Sequence, residues 1–231
     1  MNGILYCLQL IKMSRRLNLN TFVSSLSQST YSLPVSRQFL QSPSFNFINP
    51  RHHVIATDKV TQIIPESAIS NLNDENVLSL FTRGFFGGFV FAFERTVLRM
   101  GGYRLLPAGY TKFKPNPSDT IWNKSNIPTA HLLPVGSKLF GSFQLLDKHI
   151  SPGGTKSYVD YGFGSDEFHF AGCHRFQIRR LPASKEVQIE LHHFRVNPQK
   201  NETLWVEYIE WFHHAYAKAL FADGMRSLQS V

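Results

Sequence analysis

The stretch that decides the fold is residues 201–224, NETLWVEYIEWFHHAYAKALFADG, near the C-terminus. Apolar and aromatic side chains recur in it at three- and four-residue steps, which places them on one face of an α-helix. The members of this stripe are Trp205, Tyr208, Ile209, Phe212, Ala215, Tyr216, Ala219 and Leu220. Asn201 suits the N-cap, and Gly224 suits the left-handed position that ends a helix. A face this apolar needs a cover, so the pattern predicts a long closing helix packed on a sheet.

Four segments of strand length precede that helix, separated by short turn-forming sequences such as SPGG and PASK. They are Lys138–Leu146, Lys156–Phe163, Phe168–Arg180 and Val187–Val196. Short turns between consecutive strands are typical of antiparallel hairpins. The order of elements therefore predicts an α+β domain in which a curved antiparallel β-sheet grips the C-terminal helix.

An additional, more N-terminal helix is predicted from Val77 to Phe93, where phenylalanines recur at helical spacing. Gly84, Gly87 and Gly88 interrupt it, which indicates a kinked or two-part helix whose small residues let another backbone approach. The proline-rich residues from Pro107 to Pro134 predict a long covering loop, of the kind that often faces a ligand.

The charge distribution divides the chain into two parts. Residues 1–57 hold five basic residues and no acid, and so carry +5 of the formal net charge of +8. This part is predicted to be a basic, extended or disordered arm, and residues 58–231 a single domain. The Ser-, Asn- and Arg-rich composition of residues 1–44 also fits a transit peptide. The expected location is therefore cytoplasmic, with the mitochondrion as the alternative.

Several classes of function are disfavoured. The body from residue 58 carries no basic stripe interleaved with aromatic residues, which argues against nucleic-acid binding. The apolar run from Gly84 to Phe93 is about half the length that a membrane span needs. Cys7 and Cys173 lie far apart and are expected to be reduced thiols.

Strand alternation indicates which polar residues share a face with the core. His193 and Arg195 continue an apolar row on their strand, and His174 begins another on the preceding strand. Parity leaves Tyr158 and Asp160 on either face. If His174, His193, Arg195 and Asp160 meet at one end of the sheet, they supply a base, an acid and a cation within a largely apolar pocket. The structural alternatives are hydrogen-bonded core histidines, and an Asp160 that pairs with Arg175 or Arg195 across the strands.

Cofactor chemistry finds little support in the motifs. Each histidine doublet, such as His192-His193 or His213-His214, points its two members in different directions, so one metal ion cannot easily use both. Neither a G-x-x-x-x-G-K-[ST] loop nor a helix-opening G-x-G-x-x-G motif is present. No metal or other cofactor is therefore expected.

The stretch KSYVDYGFG (156–164), through HRFQI (174–178) and VQIELHHFR (187–195), to the helix at 205–221 resembles the helix-grip superfamily called SRPBCC. Within it, the chain is similar to fungal polyketide cyclases of the pyrone-forming kind. The resemblance covers roughly residues 78–228 and rests on the order of the elements and on their residue patterns.

This resemblance implies an apolar cavity that holds a linear polyketide intermediate and directs its ring closure, for example to an α-pyrone, during secondary metabolite biosynthesis. His174 or Asp160 is then the expected base, and Arg195, His193 and Tyr158 are the expected carbonyl-polarising donors. A non-catalytic carrier of a lipid or other hydrophobic ligand is the alternative within the same fold. A less favoured interpretation is an organellar accessory protein that binds a partner or a membrane surface through the 77–93 helix. A homodimer through that aromatic helix is compatible with the cyclase or the carrier.

Overall fold

The computed structural model describes residues 19–102, 104–115, 119–152, 156–204 and 210–228. It has an α+β fold built on one curved, unclosed sheet of eight strands and a C-terminal helix. The strands are β1 Thr30–Ser32, β2 Ile55–Pro65, β3 Thr120–Ile121, β4 Lys138–Leu139, β5 Phe143–His149, β6 Lys156–Gly164, β7 Ala171–Leu181 and β8 Glu186–Val196. Their order across the sheet is β1-β2-β8-β7-β6-β5-β4-β3.

The helices lie before, between and after these strands. They are α1 (residues 19–28), α2 Arg37–Leu40, α3 Pro43–Ile48, α4 Asp74–Gly87, α5 Ala92–Met100 and α6 Glu210–Leu228. Short 3-10 turns occur at Glu66–Ile69 and Lys124–Asn126. No single described helix is long and apolar enough to cross a membrane, although α4 and α5, bent by 63°, meet the length and composition criteria as a pair.

Strands β5 to β8 form the predicted run of antiparallel hairpins. Strand β2 then pairs with β8 along its whole length, from Ile55 opposite Val196 to Pro65 opposite Glu186. The chain thus places its first long strand beside its last one, with α4 and α5 in the connection between β2 and the rest of the sheet. Because β2 is continuous across residue 58, it joins the end of the expected arm to the domain.

The inner face of the sheet packs against α4, and α4 in turn packs against α6. Phe81 and Phe85 of α4 lie with their ring centroids 4.9 Å and 4.8 Å from that of Phe176 on β7. Gly84 faces α6 so closely that a Cβ atom there would lie 2.5 Å from the carbonyl oxygen of Asp223. The prediction that the helix is bent and that its glycines admit another backbone is therefore confirmed.

The outer face of the sheet carries a second, smaller core. Phe39 of α2 and Phe45 of α3 pack against Phe194 of β8, with ring centroids 5.3 Å and 5.1 Å apart. Strand β1 pairs with β2 at the sheet edge. Within the predicted arm, β1, α2 and α3 therefore lie against the sheet, and the aromatic side chains of α2 and α3 cover its outer face. Residues 1–18 lie outside the described part.

The closing helix differs from the prediction at both ends. Gly224 does not end it: α6 continues to Leu228, and Gly224 instead gives room to the ring of Phe81, which a Cβ atom would approach to 2.6 Å. Asn201 accepts a hydrogen bond from the Val54 amide, and residues 201–204 are not helical. The start of the predicted helix at 205–209 lies outside the described residues. Within α6, Trp211 and Phe212 are exposed.

Candidate functional site

A cavity of about 340 Å³ lies between the inner face of the sheet and the helices α4, α5 and α6. Most of its lining is aromatic or aliphatic, and its polar side chains include three histidines and one arginine. It is lined by Asp58, Phe85, Phe91, Glu94, Leu106, Phe143, Phe163, Phe170, His174, Leu191, His193, Arg195, His213, Tyr216, Ala217 and Leu220. An apolar cavity with a few convergent polar groups is the usual form of a small-molecule site.

Asp58 of β2 is the centre of the polar cluster in this cavity. One of its carboxylate oxygens, Oδ2, accepts hydrogen bonds from His193 Nδ1 at 2.9 Å and from His213 Nε2 at 2.7 Å. The guanidinium of Arg195 lies 3.3 Å from the same oxygen. The other oxygen, Oδ1, is buried and has no hydrogen-bond partner among the described residues. We call Asp58, His193, His213 and Arg195 the inner cluster.

The pairing of the strands explains why these residues meet. Asp58 lies directly opposite His193 in the β2–β8 ladder, and His193 lies opposite His174 in the β7–β8 ladder. Directly opposed residues of antiparallel strands point to the same face, so all three side chains reach the cavity. His213 approaches Asp58 from the first described turns of α6. The cluster thus depends on the closing helix as well as on the sheet.

The inner cluster contains a carboxylate held between two imidazoles. Burial by itself would raise the pKa of the Asp58 carboxyl, but the hydrogen bonds and positive potential of His193 and His213 hold that pKa well below its usual range. Burial lowers the pKa of His193 despite the opposing effect of Asp58. His193 is therefore neutral at pH 7 and donates its Nδ1 proton to Asp58. The Nε2 atom then carries the lone pair and can accept a proton.

His174 lies beside the inner cluster without bonding to Asp58. Its ring stacks on His193 with centroids 4.8 Å apart and touches the rings of Phe163 and Phe85 at 5.0 Å and 5.4 Å. Burial among these rings lowers its pKa well below the usual value, and His193 adds to the effect. Its Nδ1 atom has no hydrogen-bond partner among the described residues. His174 is thus an uncharged imidazole in the cavity wall, with no carboxylate to fix its tautomer.

The helical wall of the cavity carries a second polar pair, formed by Glu94 of α5 and Tyr216 of α6. Burial raises the pKa of the Glu94 carboxyl, while the neighbouring Tyr216 hydroxyl works in the opposite direction. Burial also raises the pKa of Tyr216, and Glu94 raises it further. These two groups can take part in proton transfer or in the binding of a polar substituent.

The five predicted site residues fall on two faces of the sheet. His174, His193 and Arg195 line the cavity, as their alternation predicts. Asp160 and Tyr158 do not, because they lie opposite Arg175 and Gln177 on the outer face. Asp160 receives Arg175 in a two-point contact, with 2.7 Å to each carboxylate oxygen, and the Arg175 guanidinium lies 3.9 Å from the Tyr158 ring centroid. The roles of base and carbonyl-polarising donor therefore do not fall to Asp160 and Tyr158, and the structural alternative for Asp160 is the observed one.

Sequence reasoning missed Asp58 and His213. Asp58 lies on a strand whose inner face alternates Asp58, Val60, Gln62 and Ile64, so no apolar period marks it. His213 shares the cavity face of α6 with Tyr216, Ala217 and Leu220, at steps of three, four and seven residues. That spacing is visible in the sequence, but the predicted stripe includes the exposed Phe212 and omits His213, so it lies partly on a neighbouring face.

Asp58, His193 and His213 are also a possible set of metal ligands, which no motif in the sequence indicates. One ligand atom from each lies within 4.8 Å of the others. Two histidines and one carboxylate suit a first-row transition metal. The guanidinium of Arg195, however, already lies 3.3 Å from the oxygen that would bind the ion, and its charge opposes a divalent cation there. Hydrogen bonding to Asp58 accounts for the positions of both histidines.

Comparisons with known proteins leave this geometry as the main guide to function. No protein-family model matches the chain, and no curated protein matches it. A solved structure, that of the hypothetical protein jhp0584 from Helicobacter pylori, aligns with 83% of this chain and 95% of its own. The identity is 9% and the TM-score is 0.31.

Proposed function

We propose that the chain is a helix-grip protein that acts as a polyketide cyclase: it holds a linear poly-β-carbonyl chain in the cavity and directs its ring closure, as in α-pyrone formation. The observation that carries this proposal is the pair of imidazoles fixed by Asp58 beside Arg195 at the wall of a largely apolar cavity. Ring closure of such a chain needs a proton acceptor, a cation for the developing oxyanion, and exclusion of water.

The order of β-strands supports the helix-grip assignment. A first long strand beside the last, two helices in the connection that follows it, and a closing C-terminal helix are compatible with that architecture. The inner face of the sheet then forms the floor of the cavity and the helices form its roof.

The ring closure can be written with the residues of the inner cluster. His193 Nε2 removes the proton of an enol hydroxyl as the enol oxygen attacks the carbonyl carbon of the terminal thioester. Arg195 stabilises the oxyanion of the tetrahedral intermediate with its charge and N–H donors. When the intermediate collapses, the carbon–sulfur bond breaks and the thiolate takes the proton back from His193. The products are the lactone ring and a free thiol.

Asp58 acts in this scheme as a positioning residue. Its carboxylate fixes the tautomer of His193 and stabilises the imidazolium that forms during the reaction, which is the usual role of an aspartate behind a catalytic histidine. His213 shares the same oxygen and is the second candidate for the base, since its Nδ1 atom is left to accept a proton.

The alternative within the same fold is a carrier that binds a hydrophobic ligand and leaves it unchanged. The aromatic lining of the cavity favours it as much as it favours a cyclase, with Arg195 holding a polar head group. The two functions differ in the fate of the ligand.

The deciding experiment incubates the purified protein with a linear polyketide thioester and follows the products by mass spectrometry, with boiled protein as the control. A cyclase releases thiol and a pyrone faster than the control does. Retention of the intact polyketide chain without conversion would favour the carrier over the cyclase. If the protein neither binds nor converts the thioester, both functions are contradicted.

A further inference from the structure

A basic groove lies on the far side of α5 from the cavity. It consists of two adjoining depressions of about 550 Å³ and about 530 Å³, which share Asn123 and Lys124. Five cationic side chains line it, and no acidic side chain of the described residues does. These cations are Arg83, Arg95, Arg99, Lys124 and Arg226. Asp223 is buried behind the groove and pairs with Arg226 at 2.8 Å, and its charge also acts on Arg95.

Two of the arginines are held in place by backbone carbonyl groups and have no salt-bridge partner in the described part of the chain. Arg83 donates to the carbonyl of Ile127 at 2.8 Å, and Arg95 donates to the carbonyl of Gly88 at 2.8 Å. Carbonyl anchoring fixes a guanidinium without neutralising it, so the remaining N–H groups can bind an anion. Arg99 and Lys124 are exposed at the rim. Guanidinium groups arranged in this way suit phosphate, which they bind through paired hydrogen bonds.

An aromatic side chain completes the groove. Trp122 lines the first depression beside Arg99 and Lys124, and 51% of its surface is exposed. A half-exposed indole beside cations offers a stacking surface for a planar base. We propose that the basic groove binds a nucleotide carrying several phosphate groups, and that the ligand it takes is the coenzyme A part of a thioester substrate.

The groove and the cavity lie on opposite sides of α5. Phe91, the N-cap residue of α5, and Glu94 of α5 line the cavity, while Arg95 and Arg99 of α5 line the groove. The ring of Phe91 lies 6.2 Å from that of Phe140, which lines the groove. The partition between the two spaces therefore includes a pair of aromatic rings. In this respect the inference rests on the proposed function, because it assigns the groove to the handle of the thioester whose acyl chain occupies the cavity.

Coenzyme A binding measured by titration calorimetry, with the protein intact, tests the groove directly. The variant Arg99→Gln/Lys124→Gln should weaken binding at least about tenfold, since two charged contacts to phosphate are lost. The variant Lys112→Gln/Lys114→Gln is the matched control, because it removes the same charge at exposed positions that do not line the groove. Equal loss in both variants, or no binding by the unaltered protein, would overturn the inference.

Further ligands distinguish the source of the phosphate. Inorganic pyrophosphate should bind more weakly than coenzyme A, because it lacks the base that stacks on Trp122. Vesicles containing phosphatidylserine should not compete with coenzyme A. Competition by vesicles, or equal affinity for pyrophosphate, would contradict a nucleotide site.

A kinetic comparison separates this inference from the cyclase proposal. The same acyl chain is supplied as its coenzyme A ester and as its N-acetylcysteamine ester, which carries no phosphate. The groove variants should raise the KM for the coenzyme A ester and leave the KM for the N-acetylcysteamine ester unchanged. If coenzyme A binds in the groove but neither ester cyclises, the cyclase proposal fails and the groove stands. If both esters cyclise and the groove variants alter neither, the groove assignment fails and the cyclase stands.

Discussion

Each face of the sheet buries one aspartate against an arginine, and the two pairs are built differently. On the outer face, Asp160 receives Arg175 through both carboxylate oxygens at 2.7 Å, and the guanidinium lies between the rings of Tyr158 and Phe39. On the inner face, Asp58 gathers two histidines and Arg195 on one oxygen and leaves the other without a partner among the described residues. The outer pair is covered by α2, and the inner one borders a cavity.

The difference separates a structural ion pair from a candidate site. A buried ion pair stabilises a fold only when its geometry and hydrogen bonds are good, and in the outer pair both carboxylate oxygens accept short hydrogen bonds from Arg175. The inner cluster holds titratable groups with shifted pKa values, incomplete hydrogen bonding and an adjoining space for a ligand. This combination is more typical of functional sites than of structural networks. Replacing residues of each pair should therefore affect different properties of the protein.

The largest expected effect is on the rate of ring closure, in the variant His193→Asn. Its amide nitrogen can replace Nδ1 and keep the hydrogen bond to Asp58, but it has no counterpart of Nε2. Loss of the base should lower the rate by about 10²- to 10⁴-fold. The rate of pyrone formation by mass spectrometry measures this, and the melting temperature should change little.

His213→Gln is the matched variant on the helix side of the cluster. Its amide nitrogen can replace Nε2, which is the atom that bonds to Asp58, and it removes Nδ1. If His193 is the base, this variant keeps most of the activity. A reversed result, with His213→Gln inactive and His193→Asn active, would move the role of base to α6.

The next largest effect is on stability, in the outer pair. Arg175→Met leaves Asp160 as an unpaired charge at a fully buried position, which should cost about 3–5 kcal/mol of the free energy of unfolding. Urea denaturation measures this loss. The rate of ring closure per folded molecule should not change, because neither residue lines the cavity.

The double variant Asp160→Leu/Arg175→Met is the control for that measurement. It replaces both charges by apolar groups and should recover most of the lost stability. A large loss of activity in folded Arg175→Met protein would mean that the outer pair contributes to the site, and the contrast between the two faces would no longer hold.

The same contrast shows which residues of the site can be predicted from the sequence. Alternation along β7 and β8 correctly places His174, His193 and Arg195 on the cavity face, because the side chains of a paired strand have a fixed period of two. It does not assign Asp160, since both faces of β6 are buried and the sequence there has no polar side to orient it. Asp58 is not predicted, because the inner face of its strand carries polar and apolar residues in turn and so has no continuous apolar row. The closing helix is aromatic on more than one side, so its inward face is settled only by packing against α4.

The smallest expected effect is the acid sensitivity of the fold, which His174 should influence. Its pKa in the folded protein lies well below the usual value because it is buried among aromatic rings, so between that pKa and about 6.5 the unfolded chain binds a proton that the folded protein does not. Stability contributed by the neutral ring is therefore complete above pH 6.5 and is lost as the pH falls, at up to about 1.4 kcal/mol per pH unit. The variant His174→Phe removes this contribution, and its free energy of unfolding should fall less steeply from pH 7 to pH 5.5 than that of the unaltered protein.

The pKa of His193 is shifted in the same direction, so His193 should leave part of this pH dependence in place. The exposed His131→Gln variant serves as the control and should keep the full slope. An unchanged slope in His174→Phe would mean that His174 takes up a proton in the folded protein, and the choice of His193 over His174 as the base would then have to be reversed.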